Sequence, residues 1–272
     1  MKGASTAGRS STGIAYEIAG SGEPLVLVHA GVADRRMWDA QWELFTSRHR
    51  VLRYDARGYG ESLPPTGAWS QHSDLLGLLD ELGIARAHLV GASMGSGIAV
   101  EAALARPGVV DSLVLAAPGG ALHGAASDDL RAVWTAEVEA LDRGDLDAAV
   151  EVNLRAWVDG PHRDPTAVDP ALRSAIGRMQ RDAFELPEWN ADEAPESELE
   201  PPAPARLAEL TVPTLVLVGG LDQAASLEAA GRLEATVPDV RFQSWPGVGH
   251  MLTLERPAEF GSLVLDFLAA VR

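Results

Sequence analysis

The segment Gly91-Ala92-Ser93-Met94-Gly95 constrains this chain more than any other, because a strand pattern runs into it and a helix pattern runs out of it. Ala87-His88-Leu89-Val90 has the mostly apolar character of a short buried strand. Ser96 to Ala105 carries small residues and helix formers, up to a stop at Pro107. In a strand–turn–helix setting, G-x-S-x-G puts the serine on a turn so sharp that its hydroxyl is lifted out of the sheet and exposed. The flanking glycines leave room where a side chain would clash with the neighbouring strand and helix.

The remainder of the chain alternates strand and helix signals. Gly13 to Ala19 reads as a strand, Ser21-Gly22-Glu23-Pro24 as a turn, and Leu25-Val26-Leu27-Val28-His29 as a strand covered on both faces. Trp38, Trp42 and Phe45 fall at helical spacing within a helix expected over Met37 to Ser47. Val51 to Tyr54 is the next strand, followed by the glycine-punctuated loop Asp55 to Ser62 and a leucine-faced helix over Ser73 to Leu82. Beyond the serine turn, strands are expected at Ser112 to Ala116, Pro213 to Val218 and Val240 to Trp245, with helices over Ala224 to Ala235 and Pro257 to Ala270. Strands separated by helices imply an α/β fold with a mainly parallel sheet and right-handed crossovers. From Ala121 to Leu210 the alternation stops: Asp128 to Leu141, Leu146 to Val158 and Pro170 to Phe184 look helical and no strand signal is strong. This stretch reads as a helical cap (residues 121–210) on a core of residues 1–120 and 211–272, placed over the carboxyl ends of the strands, where such sheets bind ligands.

Composition removes several function classes. With 272 residues, 46% of them hydrophobic, the chain has the make-up of an ordinary globular protein, and no run reaches the roughly 18 apolar residues of a membrane helix. The N-terminus lacks the apolar region of a signal peptide, so a cytoplasmic location is the expectation. There is no cysteine, which excludes disulfides, thiolate metal sites and cysteine nucleophiles. The only lysine is Lys2, at an end expected to fray, so neither Schiff-base chemistry nor a phosphate-binding lysine is available. A net charge of −17 repels nucleic acid and anionic membranes, leaving a small molecule as the expected partner. Glu185, Glu188, Asp192, Glu193, Glu196, Glu198 and Glu200 crowd one proline-rich segment, read as a solvated connection.

A serine hydroxyl needs a base within hydrogen-bond reach, and the base needs an acid to fix its tautomer and stabilise its charged form. Asp222 follows the apolar strand ending at Val218 through Gly219-Gly220-Leu221, and His250 follows the last strand through Pro246-Gly247-Val248-Gly249. In a parallel sheet both emerge at the edge that carries the serine turn. His49, His72, His88, His123 and His162 lack ligand spacing, so neither a metal nor a cofactor is expected. Gly95-Ser96-Gly97 is no dinucleotide fingerprint, because Val100 stands where its third glycine belongs.

With these motifs the chain resembles the α/β-hydrolase superfamily over almost its whole length. His29-Ala30-Gly31 follows the third family strand, Asp55-Ala56-Arg57-Gly58-Tyr59-Gly60-Glu61-Ser62 the fourth, Gly219-Gly220-Leu221-Asp222 the seventh and Gly249-His250 the eighth. The order Ser, Asp, His is that of the family. The resemblance implies Ser93 as nucleophile, Asp222 as acid and His250 as base. It places one oxyanion donor at the N–H of Met94 and the other after His29, at Gly31. Members of the family have His-Gly where this chain has His29-Ala30. Alanine resists positive φ, so a shifted loop with Val32 as donor is the alternative. His29 and the Asp55–Ser62 loop are expected to shape the site, and one or two of Trp134, Trp157, Met179, Phe184 and Trp189 to line an acyl pocket.

The expected activity is cofactor-free hydrolysis of a small or medium carboxylic ester, with lactone or enol-lactone hydrolysis as the alternative. Carbon–carbon hydrolysis, iminopeptidase and perhydrolase chemistry use the same machinery. Dehalogenases and epoxide hydrolases carry aspartate where this chain has Ser93. A ligand-binding protein on the same fold is the non-catalytic alternative, and it would bind without covalent turnover.

Overall fold

The computed structural model describes residues 5–124, 127–187, 189 and 192–271. Lys2 and Glu188 lie outside them. In chain order the elements are β1 (Thr6–Arg9), β2 (Ala15–Gly20), β3 (Pro24–Val28), α1 (Asp39–Thr46), β4 (Arg50–Tyr54), α2 (Gln71–Glu81), β5 (Ala87–Ala92), α3 (Met94–Ala105) and β6 (Val110–Ala116). Then come α4 (Asp128–Asp142), α5 (Leu146–Asn153), α6 (Pro170–Phe184), β7 (Thr214–Gly219), α7 (Ala224–Thr236), β8 (Val240–Trp245), α8 (Leu252–Glu255) and α9 (Pro257–Ala270).

Among the described residues the eight strands form one sheet in the order β1-β2-β4-β3-β5-β6-β7-β8. The pairs β1/β2 and β2/β4 are antiparallel and the rest are parallel. Successive side chains of a strand point to opposite faces, so each central strand feeds two cores. Val26, Val28, Leu89, Leu113 and Val216 join one, closed by Leu75 and Leu78 of α2, Ile98 and Ala102 of α3 and Leu233 of α7. Leu25, Leu27, Val90, Val114 and Leu217 join the other, closed by Phe45 of α1 and by Phe260, Val264 and Phe267 of α9. The order reverses at β3, which has β4 on one side and β5 on the other. In open α/β sheets the crevice at the carboxyl ends beside such a reversal is where ligands bind. The loop after β3 and the turn after β5 both open there.

Between β6 and β7 the chain supplies α4, α5 and α6, as the pattern predicts, and each begins on a side-chain cap: Ser127, Asp145 and Asp169 accept the N–H groups of Leu130, Ala148 and Ala171. Val150, Leu154, Ile176 and Met179 bury against the core that α1 and α9 close.

The structure departs from the pattern in several places. β1 has no sequence signature, because its four residues are mostly exposed and it sits at the sheet edge. Gly13, expected in a strand, has φ +93° and makes a turn before β2. The helix expected from Met37 begins as a 3₁₀ turn over Arg35–Trp38, capped by Asp34. The one expected over Leu146 to Val158 changes to a π-helix at Leu154–Asp159. The acidic connection is tied to the core: Trp69 N–H donates to Pro195 O (3.2 Å), Ser197 N–H to Trp69 O (2.7 Å) and Trp69 Nε1–H to Ala194 O (3.1 Å). No helix among the described residues is long and apolar enough to cross a membrane.

Candidate active site

α3 begins at Met94, two residues earlier than its composition suggests, so the turn between β5 and α3 is a single residue, Ser93. That residue has φ +50° and ψ −116°, a region an L-residue occupies only under strain. The strain is held by packing too close for side chains. A Cβ on Gly95 would overlap the carbonyl oxygens of Val28 and His29, and one on Gly91 would overlap Gly95 O. Both neighbours are backbone and cannot rotate away. Gly95→Ala is therefore expected to lower unfolding free energy by about 3 kcal/mol. Gly108→Ala, where nothing lies within 4 Å of the added Cβ, should stay within about 0.5 kcal/mol. Urea midpoints of the two variants make the comparison.

At the carboxyl end of β7, Asp222 is fully buried, and the loop after β8 brings His250 beside it, 4% exposed. His250 Nδ1 lies 2.7 Å from Asp222 Oδ1 and His250 Nε2 lies 2.8 Å from Ser93 Oγ. A carboxylate can only accept, so Nδ1–H donates to Asp222 and Nε2 accepts from the Ser93 hydroxyl. Asp222 Oδ1 also accepts Gln223 N–H at 2.6 Å, a second bond to the same oxygen that helps to fix the carboxylate. The Trp157 ring packs against His250 at 4.9 Å. The residues expected as nucleophile, acid and base thus stand in one hydrogen-bonded line.

The N–H groups of Gly31, Val32 and Met94 make no hydrogen bond among the described residues, and all three residues line the pocket that contains Ser93 and His250. Met94 is the first residue of α3, where orphan N–H groups and the helix dipole favour negative charge. Ala30, where the family has glycine, does not have positive φ and is 1% exposed. Alanine therefore fits this loop without backbone strain.

His29 is fully buried and locks the same loop. Its Nε2 accepts Ala56 N–H at 2.9 Å, so Nδ1–H donates to Ala30 O at 2.8 Å. Burial drives its pKa down, against the pull of Asp55. The Asp55–Ser62 loop is organised in turn by Asp55, which accepts N–H bonds from Arg35 (2.9 Å) and Glu61 (2.8 Å) and pairs with the Arg35 guanidinium. That loop carries Tyr59 over His29, rings 5.1 Å apart, and into the pocket. Burial pushes the Tyr59 phenol up to about 12, so it stays protonated.

The pocket at Ser93 has a volume of about 460 Å³. Of the five large side chains considered from the helical stretch, Trp134, Trp157 and Phe184 line it, Trp189 lines a neighbouring cavity, and Met179 is buried in packing. Glu137, Asn153, Gln180 and His123 also line the pocket at Ser93, and no motif in the sequence marks them as binding groups. Asn153 Nδ2–H donates to Glu137 at 2.5 Å. Among the described residues no three side chains are grouped to hold a metal ion.

His123 carries a consequence for stability. Burial, then the neighbouring His250, drives its pKa down to about 4. In the unfolded chain the ordinary value is roughly 6.5. Between those values the unfolded state binds more protons, so stability is full above about pH 6.5 and falls as pH drops toward 4. Urea midpoints measured across this window should slope less in His123→Asn than in the wild type. An unchanged slope would place the proton-linked loss elsewhere.

The chain matches the alpha/beta hydrolase family over residues 25–262, and it belongs to that family. It is 31% identical over 231 residues to a 2-hydroxy-6-oxononadienedioate/2-hydroxy-6-oxononatrienedioate hydrolase of Cupriavidus pinatubonensis, covering 83% of this chain and 78% of the relative. It is 30% identical over 273 residues to a 2-hydroxymuconate semialdehyde hydrolase of a Pseudomonas species, covering 92% and 88%. Among solved structures it is similar to a hydrolase from Pseudomonas aeruginosa, with TM-score 0.76 and 26% identity over 97% of this chain and 98% of that one.

Proposed function

We propose that this hydrolase cleaves a small or medium carboxylic ester through an acyl-enzyme, with Ser93 as nucleophile, His250 as base and Asp222 as acid. The observation that carries the reading is the line from Asp222 through His250 to Ser93, at 2.7 and 2.8 Å. Ser93 Oγ attacks the carbonyl carbon while His250 Nε2 takes its proton, and Asp222 stabilises the imidazolium. Charge developing on the carbonyl oxygen meets the free N–H groups of Met94 and Gly31, with Val32 the alternative to Gly31. Such a donor contributes about 3–4 kcal/mol when charge develops. The alcohol departs with the proton from His250. Water activated by the same histidine then releases the acid and restores Ser93. Residues 121–210 act as the cap that closes this pocket over the core. No cofactor enters the scheme.

Lactone hydrolysis differs only in that the alcohol stays tethered, and the same residues serve it. The names of the two relatives favour a second reading, on hydroxy-oxo-dienoate substrates. Those substrates are anions, and the residues lining the pocket at Ser93 include Glu137 and, among the described residues, no lysine or arginine. A carboxylate in that pocket would meet a like charge with no such basic side chain to offset its desolvation outside the oxyanion donors, which favours the ester.

A panel of linear esters of increasing chain length, γ- and δ-lactones, amides and a hydroxy-oxo-dienoate, followed by acid release with Ser93→Ala as control, tests the proposal. Ester turnover that vanishes in the variant is the expected result. Turnover of the dienoate with none of any ester would overturn it.

A further inference from the structure

Beyond the pocket at Ser93 lies a second, larger chamber of about 770 Å³. The two share Tyr59, Met94, Gly120, His123, Gln180 and Phe184 in their walls, so they adjoin. The chamber is walled by aromatic rings and carboxylates. Trp69 and Trp189 meet edge to face at 5.8 Å. Glu101, on the helix that begins beside Ser93, has its side chain 13% exposed with His72 Nδ1 3.5 Å from its carboxylate, and Glu196 and Glu198 come from the segment pinned to Trp69.

The one basic side chain among the described wall residues apart from histidine, Arg57, is already spent on Asp74, with bonds of 2.6 and 2.9 Å. Burial, then the like charges of Glu101, Glu198 and Asp74, pushes the Glu196 carboxyl above its ordinary range. Like charges gathered in a partly desolvated wall are stabilised when a cation enters between them.

An independent feature points to a ligand at the junction of the two spaces. Gln180 of α6 is 4% exposed and lines both, yet among the described residues its carboxamide makes no hydrogen bond and its Oε1 is a buried acceptor without a partner. A buried amide left unpaired is unfavourable unless a bound group completes it. An N–H donor reaching in from the chamber would do so once the amide oxygen turns toward it.

We propose that this chamber holds a protonated primary amine carried by the substrate, so that the ester presented to Ser93 is one of an amino acid or an amino alcohol. The ammonium lies among Glu101, Glu196 and Glu198 against Trp189, where cation–π attraction adds to the charge pairing, while the Trp69 ring already carries the Arg57 guanidinium 6.0 Å from its centroid. Gln180 meets the polar linkage on its way to Ser93. The ammonium site stands on the chamber itself, and only its link to turnover rests on the esterase reading.

The test separates those two parts. Hexylammonium chloride and 1-hexanol are titrated calorimetrically into the wild type and into the variant Glu101→Gln/Glu196→Gln/Glu198→Gln at low salt. Hexylammonium is expected to bind at least about tenfold tighter than hexanol to the wild type. In the variant the preference should disappear while hexanol affinity is kept, which also reports that the variant is folded. Equal affinities in the wild type, or a preference that survives the variant, would overturn the site.

Turnover is then compared for 4-nitrophenyl 6-aminohexanoate against 4-nitrophenyl heptanoate, and for 5-aminopentyl butanoate against hexyl butanoate. An ammonium for methyl preference of about tenfold in kcat/KM in one pair supports the proposal and identifies the side of the ester that carries the amine. Parity in both pairs, with turnover, overturns the assignment to substrate and leaves the esterase reading intact. Silence in both pairs with tight hexylammonium binding supports the ammonium site and overturns the esterase reading.

Discussion

Ser93→Ala is expected to lower kcat on the best ester by on the order of 10⁵-fold while leaving the unfolding midpoint in urea unchanged. The effect is large because no neighbouring group can substitute for the hydroxyl. His250 and Asp222 are arranged to serve one oxygen, and His250 Nε2 has Ser93 Oγ as its partner at 2.8 Å. Stability is untouched because alanine keeps the Cβ, and with it the same backbone strain at φ +50°. Residual activity comes from the oxyanion donors and binding, which the substitution leaves in place. His250→Ala should fall to a similar level, and the double variant no further, because residues that act as a unit are not additive. Steady-state kinetics on the three variants makes the comparison. Loss in the double variant equal to the product of the two single losses would mean that the residues act independently.

The largest effect on stability is expected at Arg57, away from the chemistry. Its guanidinium makes two bonds to Asp74 of α2 and one each to Leu63 O (2.8 Å) and Thr12 O (3.0 Å), with side-chain exposure of 4% for the arginine and 8% for the aspartate. Arg57→Leu leaves the Asp74 carboxylate buried without its counter-charge and two carbonyls without donors, a loss of about 3–5 kcal/mol. Arg57→Leu/Asp74→Leu should recover part of that, because replacing both partners removes the desolvation penalty along with the attraction. Denaturant unfolding of the single and double variants shows whether this is so. A double variant less stable than the single one would mean that the lone Asp74 carboxylate carries no desolvation penalty for the second substitution to relieve.

The sequence is informative wherever local chemistry sets geometry. G-x-S-x-G between an apolar run and a small-residue helix defines the turn, because backbone packs directly on Gly91 and Gly95. Asp222 and His250 are legible because each closes a loop at the end of a strand signal, and parallel strands deliver such loops to one edge. The near-continuous apolar runs of β3 and β5 likewise announce strands covered on both faces, and so a sheet with two cores. What escaped is what depends on distant packing. β1 pairs along a sheet edge and buries little. The π-helical turn at Leu154–Asp159 follows α5 where the chain packs against α6, and no composition marks it. Gln180 reads as one polar residue on an amphipathic helix. Its burial comes from where α6 sits, and so does its position between two chambers. The Glu196 segment looks solvated because its charges are visible and the backbone pairing with Trp69 is not.

The central claim is that Ser93 is the nucleophile of ester turnover. Its most direct test is titration with an alkyl fluorophosphonate, whose phosphorus takes the place of the carbonyl carbon and leaves a stable adduct, followed by peptide mass mapping and ester assays on the same samples. A single phosphonyl group per chain, on Ser93, is expected, with ester turnover falling in proportion to its incorporation. Turnover that survives complete labelling of Ser93, or activity lost through an adduct on another residue, would contradict the claim.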